Sequence, residues 1–200
     1  MVTCGSESRI LAFAGHENIN KAMVTRRGKS ILFHENYIDI AHIYDIGLIF
    51  LERGLPLGNT MKRVILTKQN SVGLTAVVAG WGLINDVTRE RTHILRSAKQ
   101  DIRPIDTCFV DRRRLPGMTC AGSTNMYLPR PTVGDSGSAL VIENNKQIGL
   151  VSFRFTLRPG LVFYTNTSYF YDWIKENSQF LLQCKINNAQ NEKRHYYELN

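Results

Sequence analysis

The sequence predicts an all-β protein that is closed by one helix. Short apolar and β-branched runs alternate with clusters of glycine, asparagine or charged residues, which is typical of a sheet protein with many turns. Near the end of the chain, apolar positions change to helical spacing at Phe170, Trp173, Ile174, Asn177 and Leu181. The length of 200 residues suits one large or two small domains, and the apolar content of 43% is enough for a packed core.

The predicted strands follow one another through most of the chain. They are Arg9–Ala14, Ser30–Phe33, Ile46–Leu51, Arg63–Thr67, Leu74–Trp81, Ile94–Gln100, Ser138–Glu143, Gln147–Phe155 and Leu161–Thr165. Asn144 and Asn145 separate two of these runs, and this pair predicts a hairpin turn because asparagine tolerates positive φ. Ser168 precedes the helical pattern and is predicted to cap the helix.

A serine between two glycines is the feature of this sequence most suggestive of catalysis. Gly134-Asp135-Ser136-Gly137-Ser138 leads into the apolar run Ala139–Ile142. Gly134 can adopt backbone angles closed to other residues, and its N–H could then turn toward the same point as that of Ser136. Two such N–H groups form an oxyanion hole for acyl transfer. A plain turn ahead of a strand has the same composition, so the motif alone leaves both interpretations open.

Other segments around this motif carry a family resemblance. From about Arg9 to Asn177 the chain resembles the chymotrypsin/trypsin family of serine endopeptidases (peptidase family S1). The segments that carry the resemblance are Asp45-Ile46-Gly47-Leu48, Gly80-Trp81-Gly82, Cys120-Ala121-Gly122, Gly134-Asp135-Ser136-Gly137, Ser152-Phe153-Arg154 and the helix with Trp173. The nucleophile elbow of α/β-hydrolases is excluded, because Ser138 stands where that motif requires glycine.

The resemblance implies a fold and a domain boundary. Family members have two six-stranded barrels with the active site between them. Here the first barrel is expected to be incomplete, because Arg9–Ala14 corresponds to the middle of that barrel. We expect a partial protease domain over residues 1–179. The polar segment 180–200 is expected to be a disordered extension, since its part from Lys185 onward is short of aliphatic residues.

The resemblance also assigns catalytic roles. It makes Ser136 the nucleophile, Asp45 the carboxylate that holds a histidine, and the amides of Gly134 and Ser136 the oxyanion hole. The family's histidine directly precedes a cysteine. If Cys4 is that cysteine, Thr3 stands at the histidine position, and otherwise the segment lies upstream of this chain. Either way we expect the general base to be missing, because a threonine hydroxyl is no base near pH 7.

The five histidines of the chain are not expected to replace the missing base. They are His16, His34, His42, His93 and His195. His42 is nearest to Asp45 in sequence, but a separation of three residues within one loop should not let it bridge to Ser136. A solvated or packing role is the expectation for each of them.

The substrate pocket and an activating ion pair are assigned by the same resemblance. The pocket residues are Arg130, Ser152, Phe153, Arg154 and Gly160. Arg130 stands where trypsins have aspartate, so a preference for lysine or arginine is not expected, and Arg154 replaces a glycine at the pocket entrance. In the family, an amino terminus freed by cleavage pairs with the residue equivalent to Asp135. No such cleavage site is evident in residues 1–7, so we expect the Asp135 loop to be partly disordered.

The cysteines and the start of the sequence are the features that indicate where in or outside the cell the protein is found. The resemblance implies a disulfide between Cys108 and Cys120, and leaves Cys4 and Cys184 without assigned partners. Disulfide use favours an extracellular location. Residues 1–14 have no signal-peptide pattern, and no stretch is long enough to span a membrane. The resemblance implies no cofactor and no metal.

Charge and family together define three functional hypotheses. The net charge of +8 is spread over short basic groups, so nucleic-acid binding is not expected. The first hypothesis is a monomeric serine endopeptidase acting through an acyl-enzyme on Ser136, with protein or peptide substrates and a protein inhibitor as partners. In that hypothesis this 200-residue chain is inactive because it lacks the catalytic histidine. The second is a non-catalytic homologue that binds proteins, and the third is a fragment that does not fold alone.

Overall fold

A computed structural model describes residues 6–7, 9–109 and 115–198 of the chain, with the backbone alone for residues 6–7 and 185–198. It contains thirteen strands and one α-helix, as the sequence predicts for an all-β protein closed by a helix. The strands are β1 (Ser6–Glu7), β2 (Leu11–Ala14), β3 (Val24–Phe33), β4 (Gly47–Leu51), β5 (Ile65–Leu66), β6 (Thr75–Gly80), β7 (Leu83–Asn85), β8 (Glu90–Arg91), β9 (Arg96–Arg103), β10 (Met118–Gly122), β11 (Ala139–Ile142), β12 (Lys146–Phe153) and β13 (Leu161–Asn166). The helix is α1 (Tyr171–Glu198).

Six strands between residues 75 and 166 form a closed antiparallel barrel. Its strands follow the order β11-β6-β9-β10-β13-β12, and β12 pairs again with β11 to close the ring. The short strand β5 adds to β12 in parallel, outside the ring. Closure leaves these strands without free edges, so every neighbour is a hydrogen-bonded partner.

Strand β13 shows how this sequence fills a closed barrel. Its side chains alternate, because successive residues of a strand point to opposite faces. Val162 and Tyr164 join the main core inside the barrel. Leu161 and Phe163 join a second cluster that includes the disulfide cysteines Cys108 and Cys120. Both faces are thus buried, which explains why the strand is a continuous apolar run.

The first part of the chain forms an open sheet. Strand β3 is central and pairs with β1, β2 and β4, all antiparallel. Within residues 9–51, only Gly28, His34 and Ile46 are buried. This open sheet corresponds to the incomplete first barrel that the sequence predicts.

One turn and several strands show where the predicted elements agree with the structure and where they differ from it. Asn144 and Asn145 both have positive φ, 61° and 56°, and connect β11 to β12 as predicted. Strand β3 begins at Val24, six residues before the predicted run, because Thr25–Arg27 pair with β2 despite their charge. Strand β10 and the small β7–β8 hairpin were not predicted.

Helix α1 differs from prediction at both ends. The side chain of Asn166, rather than Ser168, accepts hydrogen bonds from the amides of Ser168 and Tyr169 ahead of the helix. The helix then continues to Glu198, past the predicted boundary at residue 179. Leu181 and Cys184 are buried one turn beyond that boundary. The segment that we expected to be a disordered extension therefore begins inside a packed helix.

An aromatic cluster docks α1 on the open sheet. The ring of His34 stacks between Tyr44 and Trp173, at centroid distances of 4.7 and 4.9 Å, and meets Phe170 edge-on. The indole N–H of Trp173 donates to Glu35 at 3.1 Å. Burial of His34 lowers the pKa of its imidazole, although the charge of Glu35 acts in the opposite direction. The neutral imidazole is therefore the form that suits this cluster.

The predicted Cys108–Cys120 disulfide is present. Cys184 is also disulfide-bonded, whereas Cys4 and the basic group at residues 112–114 lie outside the described residues. Over the ranges that the structure describes, no helix is both long and apolar enough to cross a membrane.

Candidate active site

Two consecutive tight turns shape the loop around Ser136. The amide of Asp135 donates to the carbonyl of Thr132, and the amide of Ser138 donates to the carbonyl of Asp135. Gly134 and Gly137 occupy the third positions of these turns with φ of 100° and 82°. A type II turn requires positive φ at that position, which is why the sequence has glycine there twice.

The turns leave two backbone donors free beside the serine. In the described part of the chain, the amides of Gly134 and Ser136 have no hydrogen-bond acceptor. Both residues are exposed. Free amides on either side of an exposed hydroxyl are what the oxyanion-hole prediction requires.

The carboxylate of Asp135 stabilises this loop from behind. One oxygen accepts the amide of Gly82 at 2.8 Å, and the other accepts the amide of Thr132 at 2.9 Å. A Cβ at Gly80 would lie 2.0 Å from Asp135 Oδ1, so the glycines of the Gly80-Trp81-Gly82 segment make room for the carboxylate. Asp135 thus has main-chain donors in this structure, and partial disorder of its loop stays a prediction.

Asp45 lies just before β4 and contacts the barrel twice. Its carboxylate accepts the hydroxyl of Ser152 at 2.7 Å, and its carbonyl accepts the hydroxyl of Thr165 at 2.8 Å. The negative charge of Asp45 also acts on Tyr37, whose pKa is raised to about 12 mainly by its hydrogen bond to Asp39. The side chain of Asp45 is half-buried.

The end of β12 connects the serine loop to Asp45. The amide of Gly137 donates to the carbonyl of Val151 at 2.8 Å, and the amide of Val151 donates to the carbonyl of Ser138. The next residue, Ser152, makes the bond to Asp45. Two segments that are ninety residues apart in sequence are thus joined through adjacent positions of one strand.

No histidine with a described side chain takes part in this arrangement. His34 is buried in the aromatic cluster. The Nδ1 atom of His16 accepts the amide of Asn18. His42 has φ of 50° and stacks on Phe153 at 4.8 Å. None of these rings, nor that of His93, is hydrogen-bonded to Ser136 or Asp45 in the described residues.

The five residues that were predicted to form one substrate pocket do not all line the same cavity. Arg130 lines a cavity of about 590 Å³ that also contains Asp135. Phe153 and Arg154 line a second, more apolar cavity of about 600 Å³. Gly160 lines neither cavity, and its carbonyl accepts the amide of Ser123 at 3.1 Å. Ser152 is directed to Asp45.

Asp86, which was not predicted, lines the first cavity and contacts Arg154 of the second. Its Oδ2 atom accepts a hydrogen bond from Nη2 of Arg154 at 2.6 Å and lies 3.6 Å from Nη2 of Arg130. Asp86 stands between β7 and β8, and sixty-eight residues separate it from Arg154. No local pattern in the sequence signals a contact of that range. Across residues 9–109 and 115–184, no group of acidic, histidine and cysteine side chains could hold a metal ion.

A comparison with protein-family models decides the family. The family model described as Trypsin matches residues 3–174, which is most of the chain. The chain belongs to the trypsin family. The resemblance noted in the sequence is thereby confirmed, and the closed barrel, the open partner sheet and the final helix are its version of the family fold.

Relatives and solved structures agree with this assignment. A chymotrypsin of Phaedon cochleariae is 32% identical over 181 residues, covering 84% of this chain and 63% of that protein. Transmembrane protease serine 11C of Mus musculus is 31% identical over 171 residues, covering 78% of this chain and 39% of that protein. The chain therefore spans less than two thirds of either relative. The structure of neuropsin, a serine protease of mouse brain, superposes with a TM-score of 0.73 at 22% identity, covering 87% of this chain and 86% of that one, and supports the fold.

Proposed function

We propose that this chain carries the nucleophile of a serine endopeptidase, which hydrolyses peptide bonds through an acyl-enzyme on Ser136. The observation that carries the proposal is the serine loop. Two glycine-dependent turns hold the exposed Ser136 hydroxyl beside the free amides of Gly134 and Ser136. Membership of a protease family supports proteins or peptides as substrates.

In the proposed reaction, the Ser136 Oγ attacks the carbonyl carbon of the scissile bond. The amides of Gly134 and Ser136 stabilise the negative charge that develops on the carbonyl oxygen. A histidine must take the serine proton and then deliver it to the leaving amine, while Asp45 holds the imidazole by its other nitrogen. Since no described histidine is bonded to Ser136 or Asp45, we propose that the chain as given does not turn over peptides unaided.

A non-catalytic homologue is the alternative that one observation favours. The nucleophile is present, but none of the described histidines is positioned to activate it. In this alternative the two cavities near Arg154 and Arg130 serve to bind a protein partner. Oxidised cysteines support an extracellular location for either function. We further propose that the chain acts as a monomer and that a protein inhibitor is among its partners.

Acylation by an activated aryl ester tests whether the Ser136 hydroxyl reacts as a nucleophile even though no histidine base is present. Such an ester expels a phenolate, so the leaving group needs no proton. We expect intact-mass analysis to show one acyl group on the chain, carried by Ser136 and absent from the Ser136→Ala variant. Ser138→Ala is the matched control, because Ser138 lies two residues away, and it should be acylated like the parent. Equal acylation of parent and Ser136→Ala, or none in either, would contradict the proposal.

A further inference from the structure

Asp86 and two arginines form a charged cluster at the junction of the two cavities. Side chains of Arg154, Asp86 and Arg130 are 27%, 25% and 19% exposed, so all three are largely withdrawn from water. Arg154 directly follows β12, and Arg130 lies six residues before Ser136. The cluster therefore lies next to the ends of the segments that form the proposed active site.

The cluster has more positive than negative charge. Two guanidinium groups, which stay protonated at any ordinary pH, face one carboxylate. Arg96 and Asp135 line the cavity on the Arg130 side and offset each other. Among the described residues of the cluster, Nε of Arg130, Nη1 of Arg154 and Oδ1 of Asp86 are buried without a hydrogen-bond partner, so the unpaired donors outnumber the unpaired acceptor. Buried donors without an acceptor are unfavourable, so the cluster can accept a further anionic group.

The cavity on the Arg154 side indicates which anionic group fits. Its described walls are mainly apolar, and among the described lining residues Arg154 is the one with a permanent charge; the others include Ile40, Phe109, Phe153 and Phe155. An inorganic anion would gain nothing from these walls. A peptide with one acidic side chain between apolar residues would match both the guanidinium group and the aromatic surface.

We propose that Arg154, assisted by Arg130, binds the carboxylate of an aspartate or glutamate side chain in a peptide with apolar neighbours. Asp86 occupies the place of that carboxylate when no peptide is bound. The inference rests on the proposed function in one respect, because it assumes that the bound peptide also passes beside Ser136. It identifies acidic peptides as the substrate class of this site.

Equilibrium binding to the Ser136→Ala chain tests this without any need for catalysis. The probes are blocked pentapeptides with identical apolar flanks and a central Asp, Asn or Lys, and titration calorimetry gives their dissociation constants. We expect the Asp peptide to bind about tenfold more tightly than the Asn peptide, as for a charge-assisted hydrogen bond. Arg154→Gln should remove that difference, whereas Arg53→Gln, an exposed arginine on the open sheet, should keep it.

Asp86→Asn gives the decisive second result, because it removes the competing carboxylate and leaves both arginines. We expect it to tighten binding of the Asp peptide by about threefold or more and to leave the Asn peptide unchanged. Equal affinities for the Asp and Asn peptides, weaker Asp-peptide binding in Asp86→Asn, or no binding of any peptide would overturn the proposal. Since acylation of Ser136 is measured separately, failure of one proposal is distinguishable from failure of the other.

Discussion

The closed barrel and the open sheet contribute to one site from very different physical settings. In the barrel, Leu140 is fully buried and its strand has hydrogen-bonded neighbours on both sides. In the open sheet, apolar residues such as Phe13 and Ile49 are about half exposed, at 49% and 48%. Ser136 and its free amides belong to the barrel, whereas Asp45 belongs to the open sheet. The closed barrel therefore positions the proposed nucleophile, whereas the carboxylate of Asp45 depends on its contacts with the barrel.

Core truncation should separate the two regions most strongly. Leu140→Ala leaves a cavity in a closed core and should lower the free energy of unfolding by about 2–5 kcal/mol. Ile49→Ala, in the open sheet, removes a side chain that is already half in water and should cost about 1 kcal/mol or less. Urea unfolding followed by circular dichroism gives both values. Similar losses for the two variants would show that the open sheet is packed as tightly as the barrel.

A methyl group at Gly80 should disturb the serine loop from behind. The new Cβ would meet Asp135 Oδ1, so the carboxylate must leave the amides of Gly82 and Thr132. We expect a loss of about 1–3 kcal/mol of stability, as for buried amides that lose their acceptor, together with slower acylation of Ser136. The control is Gly54→Ala, where nothing lies within 4 Å of the new methyl group. Unchanged acylation in Gly80→Ala would mean that Asp135 does not support the loop.

The bond between Ser152 and Asp45 joins the two regions and should have a moderate effect. Ser152→Ala removes the donor at 2.7 Å and leaves the half-buried carboxylate with one partner fewer. We expect a loss of about 1–2 kcal/mol in the free energy of unfolding. Ser97→Ala, an exposed serine of β9, should change stability by less than about 0.5 kcal/mol. Should both variants unfold like the parent, Asp45 would be held by other contacts.

Acidic pH should weaken the attachment of α1 to the open sheet, and we expect its effect on stability to be the smallest of the four predictions. Burial lowers the pKa of His34 in the folded protein from its ordinary value of 6.5. Unfolding therefore takes up a proton, and stability should fall as the pH drops from 6.5 toward the lower folded pKa. The parent should lose stability between pH 7 and pH 5 more steeply than His34→Gln, as measured by thermal unfolding at each pH. Identical slopes in the two proteins would assign the acid sensitivity to other groups.

Local patterns predicted the parts of this molecule that depend on neighbours in sequence. The Asn144–Asn145 turn and the glycines around Ser136 follow from the backbone angles that tight turns require, and β13 follows from its apolar run. Arg26 and Arg27 concealed the first half of β3, because the solvent-facing side of an open sheet accepts charged residues that a strand buried on both faces excludes. The contact of Asp86 with Arg154 left no trace in the sequence, since 68 residues separate the two side chains along the chain.

The end of α1 also shows where prediction from the sequence was incomplete. The segment after residue 179 is polar enough to suggest disorder, but Leu181 and Cys184 are buried where the helix meets the rest of the chain. A few apolar positions at the right spacing were sufficient to extend the helix past the predicted boundary. The predicted helical spacing already included Leu181, whereas the boundary at residue 179 rested on family length and on the polar composition that follows.

Peptide hydrolysis by the Thr3→His variant tests the central claim most directly for the case in which Cys4 is the family's cysteine, because Thr3 then stands at the histidine position. We predict that the parent chain shows no hydrolysis that depends on Ser136. Thr3→His should raise the rate by roughly 10²–10⁴-fold, the usual contribution of a general base, and Thr3→His/Ser136→Ala should return it to baseline. Two results would contradict the claim that the serine site is complete except for its proton acceptor. One is cleavage by the parent chain that Ser136→Ala abolishes, and the other is a hydrolysis rate in Thr3→His that is no higher than in the parent.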